Sequence, residues 1–264
     1  MSKTKTRIDK LVVERGLAPS RERAQALLLA GRVLVNEQKI EKPGTNVDSE
    51  SEVRVLGDDL RYVSRGGVKL ERALEHWSID LTGLTCLDVG ASTGGFTDCM
   101  RQHGAAEVIA VDTGYGQMAS KVRDDPRVRL MEKTNARHLD PDVFRGHNIA
   151  FIAMDVSFIS ATLVLPAVLR AAFHDHAGQL VVLVKPQFEV GRKLVGKGGI
   201  VREEGSHQLA ITKVRECLTG MGGLATDLIE SPILGAEGNK EFLLKAQFAE
   251  GIAKHFLKQG QEKR

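Results

Sequence analysis

One stretch constrains this chain more than any other: Leu87-Asp88-Val89-Gly90-Ala91-Ser92-Thr93-Gly94-Gly95-Phe96-Thr97. An apolar run ends in an acid and a glycine. A glycine-rich turn follows, and the residues as far as His103 continue as a helix. This pattern is the opening strand, turn and helix of a doubly wound α/β domain. Glycine lets the backbone take positive φ and approach a ligand closely. The free N–H groups of the first helical turn then face an anion. The spacing is not the dinucleotide fingerprint, which would clamp a pyrophosphate as G-x-G-x-x-G. Here Gly90, Gly94 and Gly95 fall as G-x-x-x-G-G. The roomier loop suits S-adenosylmethionine better, because the anionic group of that molecule is a small carboxylate. The bland alternative is an ordinary βα turn with an Asp capping its strand. Against it stands Asp112, which ends the apolar run Glu107 to Val111. It follows the loop by about the 20 residues at which such folds place a ribose-binding acid.

From residue 79 onward strands and helices alternate. Strands are predicted near 84–88, 107–112, 128–131, 149–155, 179–185, 225–231 and 241–248. Helices are predicted near 95–103, 115–123, 160–173 and 203–220. Such alternation gives a largely parallel sheet covered on both faces. The link between the last two strands is too short for a crossover helix, so that pair is predicted to be antiparallel. An antiparallel strand begins at the edge where its parallel neighbours end. Asp88, Gly90, Asp112, Asp155, Lys185 and Glu241 are thereby brought to one rim, the rim where open α/β sheets bind ligands. Lys185 follows five apolar residues and precedes Pro186, an unusual place for a solvated charge. The structural alternative for each of these residues is an ion pair at the sheet edge. Pro186 to Glu203, with four glycines and the cations Arg192, Lys193 and Lys197, reads as a mobile basic loop over the site. Lys254 to Arg264 reads as a fraying basic tail.

Residues 1–60 read as a separate small α+β unit. Ile8, Leu11, Val12 and Leu17 mark one short helix. Ser20 reads as the N-cap of a second, with Ala24, Leu27 and Leu28 on its apolar face and Gly31 at its end. Short strands follow at Val33 to Asn36 and Val53 to Val55. The formal net charge of +3 says little by itself. Its arrangement says more: Lys3, Lys5, Arg7, Lys10, Arg15, Arg21, Arg23 and Arg32 come early, and the acids gather after Glu41. A basic face on a small unit is the footprint expected for a phosphate backbone, or else a solvated helix surface. The series Arg7-Ile8-Asp9-Lys10-Leu11, then Ser20-Arg21, Ala24, Leu27-Leu28, Gly31, Val33 and Val35-Asn36, resembles the RNA-binding module named after a small-subunit ribosomal protein. That resemblance implies RNA binding through Arg7, Lys10, Arg21 and Arg23.

Residues 61–67, Arg61-Tyr62-Val63-Ser64-Arg65-Gly66-Gly67, read as an interdomain linker. The glycines permit a bend and Tyr62 can pack between units. Residues 68–264 form the larger domain, whose first helix carries Lys69 beside an apolar face of Leu70, Ala73, Leu74 and Trp77.

Lys69, Asp155, Lys185 and Glu241 match in order and context the Lys-Asp-Lys-Glu tetrad of ribose 2′-O-methyltransferases of the FtsJ class. With the 61–70 block, Met154-Asp155-Val156-Ser157-Phe158-Ile159-Ser160 and Lys185-Pro186-Gln187-Phe188-Glu189, nearly the whole chain resembles the TlyA family. The resemblance implies a Rossmann-like methyltransferase domain that uses S-adenosylmethionine and acts on ribosomal RNA or ribosomal subunits, at a cytidine 2′-hydroxyl. It implies a cofactor set of Asp88, Gly90, Ser92, Thr93, Gly94, Gly95, Phe96, Asp112, Asn135 and Asp155, with Arg65 added to the RNA contacts. A ribose hydroxyl is a poor nucleophile until its proton leaves. Lys185 is expected to be the main catalytic group, as a neutral base or a charged stabiliser of the alkoxide. Asp155 orients it, while Lys69 and Glu241 position the hydroxyl and balance charge. The chemistry needs no metal.

Composition weighs on the competing classes. The 42% hydrophobic content is enough for a full core. The three cysteines are far apart, show no metal spacing, and suit a reducing compartment. Cys86 and Cys99 read as buried packing residues. No apolar stretch approaches the roughly 18 residues of a membrane span, and no secretory core follows the basic start. A soluble cytoplasmic protein is expected. Many relatives in this family carry the label hemolysin, but a membrane-active reading finds no span and no pore segment here. A ribosome-binding factor with an inactive domain is disfavoured by the intact loop and tetrad.

Overall fold

The computed structural model describes residues 5–18, 20–56, 61–173, 177–235 and 237–250. The tail expected from Lys254 onward lies outside them. The chain divides into two compact units, Met1–Arg61 and Tyr62–Arg264.

The first unit has helices α1 (Ile8–Glu14) and α2 (Arg21–Leu29) and strands β1 (Lys5–Arg7), β2 (Val33–Val35), β3 (Gln38–Ile40), β4 (Asn46–Asp48) and β5 (Val53–Val55). Ser20 caps α2, its hydroxyl accepting the Arg23 N–H at 3.3 Å. Gly31 leaves that helix at φ +65°, as a helix end requires. Ile8, Leu11 and Val12 pack against Ala24, Leu27 and Leu28 and against Val33 and Val35 beneath them. Strands β3, β2 and β5 form one antiparallel sheet, and β1 pairs with β4.

The second unit holds a seven-stranded sheet, counted over the described residues, in the order β11-β12-β10-β9-β6-β7-β8. These strands are β6 (Thr85–Val89), β7 (Glu107–Val111), β8 (Val128–Met131), β9 (Ile149–Met154), β10 (Gly178–Val184), β11 (Leu224–Glu230) and β12 (Phe242–Phe248). Only β12 runs against its neighbours. Helices α3 (Gly66–His76), α4 (Gly95–Gln102), α5 (Ser120–Arg123), α6 (Ala161–Ala172), α7 (Pro186–Glu189) and α8 (Glu204–Gly220) complete it. The strand period of two divides the core. Leu180, Val182 and Val184 of β10 face α6 and α8, while Val181 and Leu183 face α3 and α4. With both faces covered, the strands read as continuous apolar runs.

Three sequence expectations are corrected. The helix predicted at 115–123 shrinks to Ser120–Arg123. Two carboxylates hold the chain in turns there: Asp112 takes the N–H of Gly114, two residues on, at 2.6 Å, and Glu132 takes that of Gly116 at 2.7 Å. The paired glycines of the junction form no bend. They begin α3, and Gly67 is needed because a Cβ there would stand 2.3 Å from the Tyr62 ring. Tyr62 is buried within the core of the second unit, among Leu70, Ala73 and Phe96. The connection after β10 carries regular structure: α7 and two 3-10 turns, Arg192–Leu194 and Lys197–Gly199.

Candidate active site

The glycine loop leaves β6 with its backbone already committed. Gly90 sits at φ +87°, and a Cβ there would lie 2.3 Å from the Asp155 carbonyl oxygen. Gly94 takes φ +93° as the N-cap of α4. The Ser92 N–H donates to Asp112 Oδ2 at 2.8 Å, so the acid at the end of β7 shapes the loop after β6. Asp112 Oδ1 accepts from Gly114, and each carboxylate oxygen still has a lone pair for a hydroxyl.

Asp88 is fully buried behind this loop. Thr97 donates to its Oδ2 at 2.6 Å, and Oδ1 has no hydrogen-bond partner among the described residues. Burial drives its carboxyl up to about 7, against the opposing Thr97 hydrogen bond and with help from the nearby Asp155 and Asp112 charges.

Two cavities meet at Gly90, Ser92 and Asp155. The larger, about 430 Å³, is walled by Val111, Asp112, Asn135 and Val164, among others. Asn135 also caps the 3-10 turn Ala136–His138 by accepting the Arg137 N–H at 3.0 Å. The smaller, about 250 Å³, contains Lys69, Asp155, Lys185 and Glu241 together with Thr93, Gly95 and Phe96, and Arg65 stands at its wall. Of the residues expected at the cofactor, Asp88 and Gly94 line neither cavity. Asp88 lies beneath the loop, and Gly94 packs toward Met118 and Val122.

The tetrad resolves into two ion pairs. Lys185 Nζ lies 2.5 Å from Asp155 Oδ1, and Lys69 Nζ lies 2.5 Å from Glu241 Oε2. Strand register explains how Glu241 arrives. Val184 of β10 pairs with Phe242 of β12, so Lys185 and Glu241 stand just beyond the same end of the two strands. Asp155 follows β9, the parallel neighbour on the other side of β10.

Several residues escaped the sequence reading. Ser157 Oγ accepts from Lys185 Nζ at 2.7 Å. Thr134 and Gln117 line the larger cavity. Phe158 borders it at 90% exposure and at φ +65°, rare for an aromatic. Ile233 and Leu234 close the smaller cavity. An aromatic three residues after the strand-end Asp155 was the one sequence signal available for any of these.

The residues expected to touch RNA lie in the first unit, Arg65 excepted. Asp9, fully buried, accepts from Arg7 Nε and Nη2 at 3.0 and 2.9 Å, from Arg21 at 2.9 Å and from Gln25 at 3.0 Å. The Arg7 guanidinium in particular holds the Asp9 carboxyl well below the usual carboxylate range. Arg7, Lys10 and Arg21 are exposed, and Arg23 is half-buried.

Comparison with known proteins agrees with this architecture. Residues 62–248 match the FtsJ-like methyltransferase model and residues 6–53 the S4 domain model. YqxC of Bacillus subtilis, named as an rRNA methyltransferase, is 46% identical over 244 residues, covering 92% of this chain and 86% of that one. The Mycobacterium tuberculosis 16S/23S rRNA (cytidine-2′-O)-methyltransferase TlyA is 42% identical over 241 residues, covering 91% and 89%. A solved structure from Streptococcus thermophilus, named as a hemolysin, superposes with a TM-score of 0.73 at 39% identity over 99% of both chains. The chain belongs to the FtsJ-like methyltransferase family, in the branch that carries an amino-terminal S4 domain and includes the TlyA proteins.

Proposed function

We propose that this protein transfers a methyl group from S-adenosylmethionine to the ribose 2′-oxygen of a cytidine in ribosomal RNA. The observation that carries this reading is the junction of the two cavities, one holding Asp112 and Asn135, the other the Lys69, Asp155, Lys185 and Glu241 set, with Gly90 and Ser92 of the glycine loop lining both. The residues fit the cofactor. Gly90, bare of a side chain, lines both cavities where the loop passes against the Asp155 backbone, and each Asp112 carboxylate oxygen keeps a lone pair for a hydroxyl. Asp112 would hold the ribose hydroxyls, and the loop from Gly90 to Gly95 the amino-acid end. When bound, the cofactor supplies an electrophilic methyl on a sulfonium.

The chain's own groups then prepare the acceptor. A lysine amine takes the hydroxyl proton, or a lysine ammonium stabilises the oxygen as negative charge builds on it. Either use requires the nitrogen to be held in place. Asp155 and Ser157 hold Lys185, and as an ammonium it retains one more N–H for a third partner. Lys69 and Glu241, neutralising each other, position the hydroxyl from across the cavity. The S4 unit, with Arg7, Lys10, Arg21 and Arg23, supplies phosphate contacts that position without reading sequence. The cytoplasm, where ribosomes are, is the expected place of action. Among the described residues no helix is long and apolar enough to cross a membrane.

The test is methyl transfer to ribosomal RNA, with the product nucleoside identified. A 2′-O-methylated cytidine is expected, and a substrate with a 2′-deoxy nucleotide at that position should accept nothing. Efficient methylation of the deoxy substrate would point to a base atom and end this reading.

A further inference from the structure

The two strand-end segments that carry Asp155 and Lys185 are tied together by a carboxylate that lines neither of the two cavities. Glu189 closes the short helix α7, four residues beyond Lys185, and its side chain is only 2% exposed. Its Oε1 accepts the Ala161 N–H at 2.7 Å, capping α6, whose own N-cap residue Ser160 makes no side-chain cap bond. Its Oε2 accepts the Ser160 hydroxyl at 2.5 Å and faces Lys213 Nζ of α8 at 3.1 Å. Lys213 also donates to the Glu189 carbonyl at 2.9 Å and to Ser160 Oγ at 3.2 Å. Between Ser160 and Asp155 lie Ser157, the acceptor for Lys185, and the exposed Phe158.

We infer that Glu189, held by Lys213, is a positioning residue for methyl transfer: it fixes the Ser157–Ser160 turn against the Lys185 segment and so sets the Asp155–Lys185–Ser157 geometry. A surface carboxylate could do no such thing. This one is buried, satisfied at both oxygens, and bonded across the two loops whose separation the reaction depends on. Moving Ser160 and the α6 N-terminus shifts Ser157 relative to Lys185. Misplacement of that kind costs up to about 100-fold in rate even when the changed residue is remote from the chemistry.

The inference rests on the proposed function, so its test carries a readout independent of activity. The full-length protein is compared with Glu189→Gln, Glu189→Asp and Lys213→Met. Measured are kcat and KM on ribosomal RNA, cofactor affinity, the pH profile of kcat, the melting temperature, and the titration of Lys185 by NMR of isotope-labelled lysine. Glu189→Gln should lower kcat between about 10- and 100-fold with KM and cofactor affinity little changed. It should also move both the pH profile and the Lys185 titration. Glu189→Asp should recover part of the loss, and Lys213→Met, which leaves the α6 cap in place, should shift the profile in the same direction. A folded Glu189→Gln protein with an unmoved Lys185 titration and parental kcat would overturn the inference, whatever its melting temperature. A parent that makes no 2′-O-methyl product, but whose Lys185 titration Glu189→Gln still moves, would overturn the proposed function and leave the positioning role standing.

Discussion

The Lys69 ammonium meets Glu241 Oε2 at 2.5 Å across 172 residues of chain, and the other Glu241 oxygen rests against Gly235, where a Cβ would stand 2.4 Å away. Both side chains are nearly buried, at 10% and 3% exposure. Removing one partner of such a pair strands a charge, at a cost of about 3–5 kcal/mol. Lys69→Met should therefore lower the urea midpoint strongly. The double variant Lys69→Met with Glu241→Leu should regain much of that stability and none of the methyl transfer. Gly235→Ala should displace Glu241 and reduce transfer while leaving cofactor affinity near parental. Equal midpoints for the single and double variants would contradict the pairing.

Lys185 separates catalysis from binding. Lys185→Ala should bind cofactor and RNA nearly as the parent does and lose at least about 100-fold in transfer rate, the scale of a general acid–base group. Lys185→Arg should not restore it, because a guanidinium keeps its proton and its planar fork does not fit the space of an ammonium. Single-turnover rates beside equilibrium binding decide the matter; a parallel loss in both would assign Lys185 to binding.

Asp88 makes stability depend on pH. Its folded carboxyl is raised to about 7 from the ordinary 3.8, chiefly by burial. Between those values the folded protein holds a proton that the unfolded chain has released, so stability falls as pH rises through this window. Asp88→Asn keeps an acceptor for Thr97 and removes the titration. It should match the parent below the window and exceed it in stability above pH 7. Denaturation midpoints taken across the range test this; a parent and variant that run parallel throughout would show that Asp88 does not titrate there.

The cofactor cradle is equally specific. Gly90→Ala places a Cβ against the Asp155 backbone in a positive-φ position, and should weaken S-adenosylmethionine binding in a protein that still folds. Asp112→Ala should cost about 1.5–3 kcal/mol of affinity, the worth of hydrogen bonds to a charged group. Calorimetry of the two variants checks both, and unchanged affinity in both would move the cofactor elsewhere.

In the S4 unit, Lys10→Glu and Arg23→Glu should weaken RNA binding uniformly across sequences and flatten its salt dependence by about one counterion each. Arg7→Glu should do more, because it also faces the buried Asp9 carboxylate that Arg7 neutralises. Its loss should appear in the melting of the unit as well as in a filter-binding salt series.

The local chemistry of this protein was legible in its residues. Gly90, Gly94 and the apolar run before them specify strand, turn and helix because positive φ and a period of two are properties of neighbouring residues. Ser20 announced its helix, and the polar residues ending apolar runs marked the rim. The link before Glu241 was too short for a crossover, which was enough to predict the antiparallel β12. Pairing was another matter. That Asp155 takes Lys185 while Lys69 takes Glu241, and that Ser157 rather than a third charge completes the contacts of Lys185, follow from which strands lie side by side and from the turn that Glu189 braces. The predicted helix over 115–123 failed partly for a similar reason, since Glu132 reaches in from beyond β8 to take the Gly116 N–H, while Asp112 turns the chain locally at Gly114. Likewise Arg7 and Arg21, read as a free basic face, share a buried acid. Sequence alone determined the fold, the loop and the candidates, because those rest on local propensity. Tertiary structure decided their partners, because an ion pair or a captured N–H depends on what the folded chain brings within 3 Å.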